Sequence, residues 1–359
     1  MHLQSAIVDC CNEDTRSNEL NFVHSLEDVL YITGLPVDGL AIGHNTEGTY
    51  TDMCSKYLGE NGCITDGSEV CFSWLKEHFE MVPKEAEKNS PKILPFVRAF
   101  LMYILGSVVF PTKSGDTVSV HYLPLLQNMD EMDKYAWGAN QLVHLHKSLS
   151  DCKKKQTKLI AGHTYSLLFF AMEHIPKLAL HLTGATLEEH NANLPKSFPL
   201  LVGWAELLEK SADKARKTKD KAIFKQTLNR IYEGMRVMMI WMRRMAIVWQ
   251  PYTRLRPLDQ FLPSHCIGQQ KIGMSQTVLI CFERFAYHRP NISPKQFGLK
   301  ESCLQYPLVE LGRLKRLNGR TKDLGKDEKH NTLVELGRLK RLNGRTKDLG
   351  KDEKHNSYK

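Results

Sequence analysis

The stretch from Leu94 to Leu149 constrains the fold most, because it holds the densest apolar material in the chain. Leu94, Val97, Leu101, Ile104 and Val108 recur every three or four residues, the spacing of one helical face, while Phe96, Phe100 and Tyr103 cover the opposite side. A helix apolar all round is expected to be buried. With Arg98 on its first turns and Phe110-Pro111 at its end, the run reads as too short for a bilayer and as a core helix. A polar turn from Thr112 to Asp116 and a short apolar segment from Val118 to Leu126 follow. Then Tyr135-Ala136-Trp137-Gly138-Ala139 opens a second apolar helix carrying Leu142, Leu145 and Leu149. The two helices are expected to bury each other.

The flanks add helices of ordinary amphipathic character. Ser25-Leu26-Glu27-Asp28 has the spacing of a capping box, and Gly34-Leu35-Pro36-Val37-Asp38-Gly39 supplies the stop and a turn. Residues 40–67 read as a glycine-containing loop region, and Val70 to Met81 as a helix with Val70, Trp74, Leu75 and Phe79 on one face. Leu159 to Ile175 reads as an apolar helix that Pro176 ends or kinks. From Leu200 the pattern is longer: Trp204, Leu207, Leu208 and Ala215 mark one helix, with Lys210, Lys214, Arg216, Lys217, Lys219 and Lys221 on its outer face. Phe224, Leu228, Ile231, Met235, Met238, Met242, Met245 and Trp249 then alternate steps of four and three, the pattern of a helix seam. Ser275 to Tyr287 reads as one more short helix. Few strands are convincing, so the expected fold is all-α, a single multi-helix globular domain.

The charge sits elsewhere. Between Leu308 and Lys359, fifteen Lys/Arg oppose eight Asp/Glu, a net of +7 out of the chain's +9, which leaves +2 for residues 1–307. Leu308 to Asn331 and Leu333 to Asn356 are the same 24 residues, separated by Thr332. Two polar copies cannot make a solenoid core. Each copy clusters its cations around an Asn-Gly turn: Arg313, Lys315, Arg316 and Arg320 in the first, Arg338, Lys340, Arg341 and Arg345 in the second. Such clusters contact phosphates or act as nuclear import signals, and a disordered, solubilising tail is the competing reading. The expected organisation is a loose segment over residues 1–24, a helical domain over 25–300 and a disordered basic tail over 301–359. Nine cysteines without a Cys-x-x-Cys pair, in a chain with no visible signal peptide, point to reduced thiols in the cytosol or nucleus.

Several of these segments together resemble one family. Leu26-Glu27-Asp28-Val29, Gly34 to Gly39, Trp74-Leu75, Tyr135 to Ala139, Glu173-His174-Ile175, Trp249-Gln250-Pro251-Tyr252 and His288-Arg289-Pro290 with Gln296-Phe297-Gly298 are similar, in order and spacing, to the plant mobile domain. This is the domain of the maintenance-of-meristems-like proteins, also called aminotransferase-like, and of long-form relatives of serine/threonine phosphatase seven. The resemblance covers residues 25–300. It implies a helical, transposon-associated domain of nuclear proteins tied to gene silencing, genome integrity and meristem maintenance, and it brings no catalytic residues with it.

The residues themselves argue against chemistry. A pyridoxal-phosphate enzyme needs a Schiff-base lysine, a carboxylate for the pyridine nitrogen and a glycine-rich phosphate cradle, and no strand-lysine-turn pattern supplies them. No Gly-Asp-x-His-Gly or Gly-Asn-His-Glu cluster of a metallophosphatase is present. His144 and His146, His174 and His181, and His265 beside Cys266 lack zinc-binding spacing and read as core or capping residues. No catalytic residue, metal or cofactor is expected. The expected function is a nuclear, non-enzymatic interaction or chromatin-associated factor with protein partners on the helical domain, nonspecific nucleic acid on the tail and no membrane. A transposon-derived nucleic-acid-binding protein is the alternative, with an enzyme behind both.

Overall fold

The computed structural model describes residues 24–43, 49–59, 64–65, 68–83, 91–155, 160–183, 198–217, 248, 250–253, 263–264, 267–273, 275–282, 284–288 and 290. The chain divides into two compact units, Met1–Leu308 and Val309–Lys359, and every described residue belongs to the first. The basic tail, the methionine seam from Met235 to Met245 and the segment before His24 lie outside the described residues.

Helix α1, Leu26–Thr33, starts at the expected capping box: the Ser25 hydroxyl accepts from the Asp28 amide, and the Asp28 carboxylate accepts from the Ser25 amide. Gly34 ends it in the left-handed conformation that glycine adopts without strain. Helix α2, Tyr50–Leu58, falls where sequence suggested a loop. Its signals are of the same kind: a Thr49/Asp52 capping box, a left-handed Gly59 cap, and Met53, Cys54, Tyr57 and Leu58 buried on one side.

Strands β1 (Ile64–Thr65), β2 (Glu69–Cys71) and β3 (Thr117–Ser119) form a small antiparallel sheet in which Val70 faces Val118. Val70 therefore starts a strand rather than a helix, and α3 spans Phe72–Phe79 with Trp74 and Leu75 buried. The central apolar run is α4, Leu94–Ile104, entered through a 3-10 turn at Pro91–Ile93 and continued as a π-helix over Leu105–Val109. Two 3-10 segments, Val120–Leu126 and Met129–Lys134, lead to α5, Trp137–Lys155. Helix α6, Thr164–His174, is followed directly by α7, Pro176–Thr183. Proline at the first position of a helix needs no amide donor, so Pro176 closes one helix and opens the next. Helix α8 spans Leu200–Lys217 and the single turn α9 spans Gln270–Gly273.

The expected helix at Ser275–Tyr287 is a β-hairpin instead. Strands β4 (Thr277–Cys281) and β5 (Arg284–His288) pair from Thr277 with His288 to Cys281 with Arg284. Thr277-Val278-Leu279-Ile280 is rich in β-branched residues, which lose rotamer freedom in a helix and pack well on a sheet. The architecture is thus mostly helical with few strands, and the all-α expectation is corrected by the sheet and the hairpin.

Two hydrophobic cores result. The first gathers α1, α5, α6, α8, Tyr252 and β4 around Val29, Leu142, Phe170 and Trp204; the second gathers α2, β2, α3, α4 and β3 around Met53, Val70, Met102 and Leu123. The two long apolar helices do not seal one another: α4 packs in the second core, while α5 gives Trp137 to the second and Leu142 and Val143 to the first.

Helix α4 is also not buried all round. Ala99, Met102, Leu105 and Val109 face inward, whereas Leu94 and Val108, the ends of the expected core stripe, are exposed together with Phe100 and Tyr103. The continuous helical run Pro91–Val109 has 19 residues, long and apolar enough by length and composition to cross a bilayer, which corrects the expectation that it is too short. Its Arg98 instead reaches inward, donating to the Tyr57, Leu126 and Gln127 carbonyls at 3.0–3.2 Å. These carbonyls end α2 and a 3-10 segment, where helix geometry leaves acceptors without partners.

The turn at 34–39 meets the start of α5 at close range. The Gly138 amide donates to the Pro36 carbonyl at 2.8 Å, the Ala136 amide to the Leu40 carbonyl at 3.0 Å and the Leu40 amide to the Lys134 carbonyl at 2.6 Å. A Cβ on Gly138 would stand 2.9 Å from Val29 Cγ1 and 3.0 Å from the Leu35 carbonyl oxygen. Gly138→Ala is therefore expected to force α1 and α5 apart and to destabilise the domain by about 1–3 kcal/mol despite alanine's better helix propensity, measured as a lowered denaturation midpoint.

Candidate functional site: a buried carboxylate centre

Asp28 is 2% exposed and sits at the meeting point of segments far apart in sequence. Its Oδ1 accepts from the Tyr252 hydroxyl at 2.6 Å and from His174 Nε2 at 2.8 Å. Its Oδ2 accepts from the Ser25 amide at 2.7 Å and the Ser25 hydroxyl at 2.6 Å. A carboxylate has about four acceptor sites, so all are occupied by this chain's own donors.

Each donor is held in turn. Tyr252 stacks on Tyr31 with ring centres 4.6 Å apart. His174 lies against Phe170, and its carbonyl accepts from the Val248 amide at 2.9 Å, which brings the 248–253 segment back to α6. Beside it the Glu173 carboxylate accepts from the Trp204 indole at 2.6 Å, tying α6 to α8. His288 Nδ1 donates to the Ser275 carbonyl at 2.6 Å, leaving Nε2 to accept from the Leu26 amide at 3.0 Å. The hairpin thereby satisfies one of the orphan donors of α1. Gln269 Oε1 accepts from the Val37 and Asp38 amides.

Burial alone pushes the Asp28 carboxyl up, but the opposing pull of His174, by charge and by hydrogen bond, holds it well below the usual carboxylate range. Burial pushes His174 down, and the Asp28 charge overcomes this and raises it. Burial raises the Tyr252 hydroxyl, with Asp28 adding to the shift. At neutral pH Asp28 is ionised, the Tyr252 phenol is neutral, and His174 is biased towards its charged form by the carboxylate beside it.

A second group of histidines surrounds it. Desolvation lowers His24 to about 3 and His146 and His163 to about 4, so all three are neutral in the folded protein. Both ring nitrogens of His24, Nε2 of His146 and Nδ1 of His163 are buried without hydrogen-bond partners. Among the described residues no group of three or more His, Cys, Asp or Glu is arranged to hold a metal ion.

The arrangement does not resemble an acid-base relay. In such relays the histidine stands between a carboxylate and a nucleophile; here the carboxylate stands in the middle, takes every donor and is shut from solvent. Of the residues singled out from sequence, His174 enters this centre, His144 and His146 lie on α5, and Lys210 is exposed on α8. His265, Cys266 and all eight tail cations, Arg313, Lys315, Arg316, Arg320, Arg338, Lys340, Arg341 and Arg345, fall outside the described residues. Sequence reasoning read Asp28 only as a helix cap and did not single out Tyr252. The signal for both was the set of short segments that carry them: Asp28, His174 and Tyr252, from three of those segments, meet in one centre, and His288 from a fourth bonds the Leu26 amide.

A mostly helical domain knotted by residues from these segments defines the class, and the comparisons name it. The family model of the plant mobile domain matches residues 22–334, and the chain belongs to this family. The match runs through the first of the two 24-residue copies. Among its relatives in Arabidopsis thaliana, Protein MAIN-LIKE 1 is 29% identical over 90% of this chain and 58% of its own length. Serine/threonine-protein phosphatase 7 long form homolog is 28% identical over 77% of this chain and 20% of its own length. Protein MAINTENANCE OF MERISTEMS is 27% identical over 77% of this chain and 52% of its own length. The chain thus spans from a fifth to under two thirds of these relatives. No solved structure matches it.

Two outcomes are expected. Asp28→Ala takes the shared acceptor from His174, Tyr252 and Ser25, leaving buried donors unsatisfied, and should cost about 3–5 kcal/mol in denaturant unfolding, and Tyr252→Phe, which removes one donor of four, about 1–3 kcal/mol. The neutral histidines set the acid behaviour. Their folded pKa values lie below the unfolded 6.5, so their contribution is present above 6.5 and is lost as pH falls towards 4. Three protons taken up on unfolding give a limiting slope of about 4 kcal/mol per pH unit, and His163→Asn should remove about a third of it in unfolding midpoints measured across that window.

Proposed function

We propose that this protein is a non-enzymatic nuclear factor that works through protein contacts in chromatin-associated silencing and meristem maintenance, with its basic tail as an electrostatic anchor. The observation that carries the non-enzymatic reading is the saturation of Asp28. Asp28, the carboxylate of the buried charge-paired centre among the described residues, spends all its acceptor sites on Ser25, His174 and Tyr252 and leaves none for a substrate. The names of the relatives MAIN-LIKE 1 and MAINTENANCE OF MERISTEMS support the process. The phosphatase named in a third relative does not transfer, because this chain corresponds to a fifth of that protein.

The tail supplies the nucleic-acid and import reading. Arg313, Lys315, Arg316 and Arg320, with Arg338, Lys340, Arg341 and Arg345, present two short cationic clusters in 52 residues of net charge +7. Tyr358 is the sole Phe, Tyr or Trp among residues 308–359, so contact would be to phosphates rather than by base stacking.

The test is duplex DNA binding by the full chain across a salt series, against a full-length variant with these eight residues changed to Gln. The wild type should bind without sequence preference, with log affinity falling against log salt at a slope of up to roughly −7, and the variant should lose most of that affinity and slope. A variant that binds as tightly as wild type would place the contact on the helical domain and favour a transposon-derived nucleic-acid-binding module.

A further inference from the structure

We propose that the outer face of α4 is the contact surface of a symmetric dimer of this chain. Phe100 is 64% exposed, Val108 46% and Tyr103 45%, with Leu94 at the near end of the same helix. Ring contacts between Phe79 and Phe96 and between Phe72 and Tyr103 join α3 to this face. Met81 and Val82, just past α3, are 83% and 51% exposed. The run Pro91–Val109 is 19 residues, about 28 Å at the helical rise, and where α3 lies alongside the strip is two helices wide. Contiguous apolar area of this extent on a folded domain marks an interaction surface.

Charge decides the occupant. From Leu94 to Val109 the single charged residue is Arg98, and its guanidinium is committed to three carbonyls. The face therefore has no cation for a phosphate backbone and no charge for an acidic or basic protein partner to complement. Interfaces between like chains are the more apolar class and are depleted of charge. A two-fold axis perpendicular to α4 sets the face against itself without opposing like charges and runs the two α4 helices antiparallel, so that their dipoles oppose favourably. The ionic residues on α3 and at the ends of the run balance, Lys76, Lys92 and Lys113 against Glu77, Glu80 and Asp116. That is not the basic collar of a helix lying on an anionic lipid surface.

This inference is independent of the function proposed above. It is tested by sedimentation equilibrium of the full chain up to high micromolar concentration, with Phe100→Glu and Val108→Glu as disrupting variants. Tyr165→Glu, at a 63% exposed site on α6, is the control. All four proteins are first matched by thermal unfolding, since the substituted side chains are exposed. The expected result is a mass rising from one chain to two in the wild type and control, not weakened by added salt, with dimerisation at least tenfold weaker in the two variants. A monomer at every concentration, or a dimer untouched by Phe100→Glu, overturns the proposal. So does co-sedimentation of a monomeric wild type with neutral phosphatidylcholine vesicles that Phe100→Glu abolishes, which would assign the face to lipid.

Discussion

The first core depends on one buried carboxylate. Taking Asp28 out of water is costly, and the cost is offset only when His174, Tyr252 and both donors of Ser25 are all in place. Those groups come from the start of α1, the end of α6 and the 250–253 turn, more than 200 residues apart at the extremes. Buried ion pairs are poor sources of net stability when compared with well-packed apolar groups, but removing one member strands a charge. The network acts as a condition on topology: any arrangement that omits a donor leaves an anion or a cation buried alone. The neighbouring Glu173–Trp204 bond and the His288 bridge to the Leu26 amide extend the same condition to α8 and the hairpin.

The second core is organised differently. It contains aromatic and aliphatic packing from Met53 to Trp137 with little buried polar content, and it is fixed to the first by two devices. Helix α5 begins in one core and continues in the other. The hairpin turn presses Phe282 against both, in a left-handed backbone conformation at φ 53° that is strained for a residue with a side chain. Its amide donates to the Ile42 carbonyl at 2.7 Å and its ring lies between His121 and Tyr122. The contacts that hold Phe282 there are what make the conformation tolerable.

How much of this was legible in the sequence varies with the physics of each element. The Ser25/Asp28 cap and the Gly34 stop were legible because capping is a local interaction with fixed spacing. The Thr49/Asp52 cap of α2 carried the same signal and was obscured by the glycines around it. The helical character of Leu94–Ile104 was plain from periodicity, but its orientation was not. Periodicity identifies a face and is silent on which of two apolar faces finds a partner. Here the inward side is built from Ala99, Met102 and Gly106, and a Cβ on Gly106 would lie 2.9 Å from the Phe72 ring. Small residues permit close approach, so the smaller side is the packed one and the bulkier stripe was left outside. The hairpin was misread because Ser275 to Tyr287 has too few residues for a helical period to be told from an alternating one. Asp28 as a hub was beyond local reasoning: Ser25 is its local capping partner, but His174 and Tyr252 are brought to it by tertiary structure.

The division between a consumed interior and an uncommitted exterior bears directly on function. Among the described residues, the buried polar groups Asp28, His174, Tyr252 and Glu173 are engaged in holding helices together, and His24, His146 and His163 are neutral and enclosed. Two features stand apart from that interior: an exposed, uncharged apolar strip on α4 and, in sequence, a strongly basic tail. These differ in how they bind. Apolar association strengthens with salt and requires shape, whereas phosphate contact weakens with salt and does not. The matched relatives are longer chains of which this chain covers only a part.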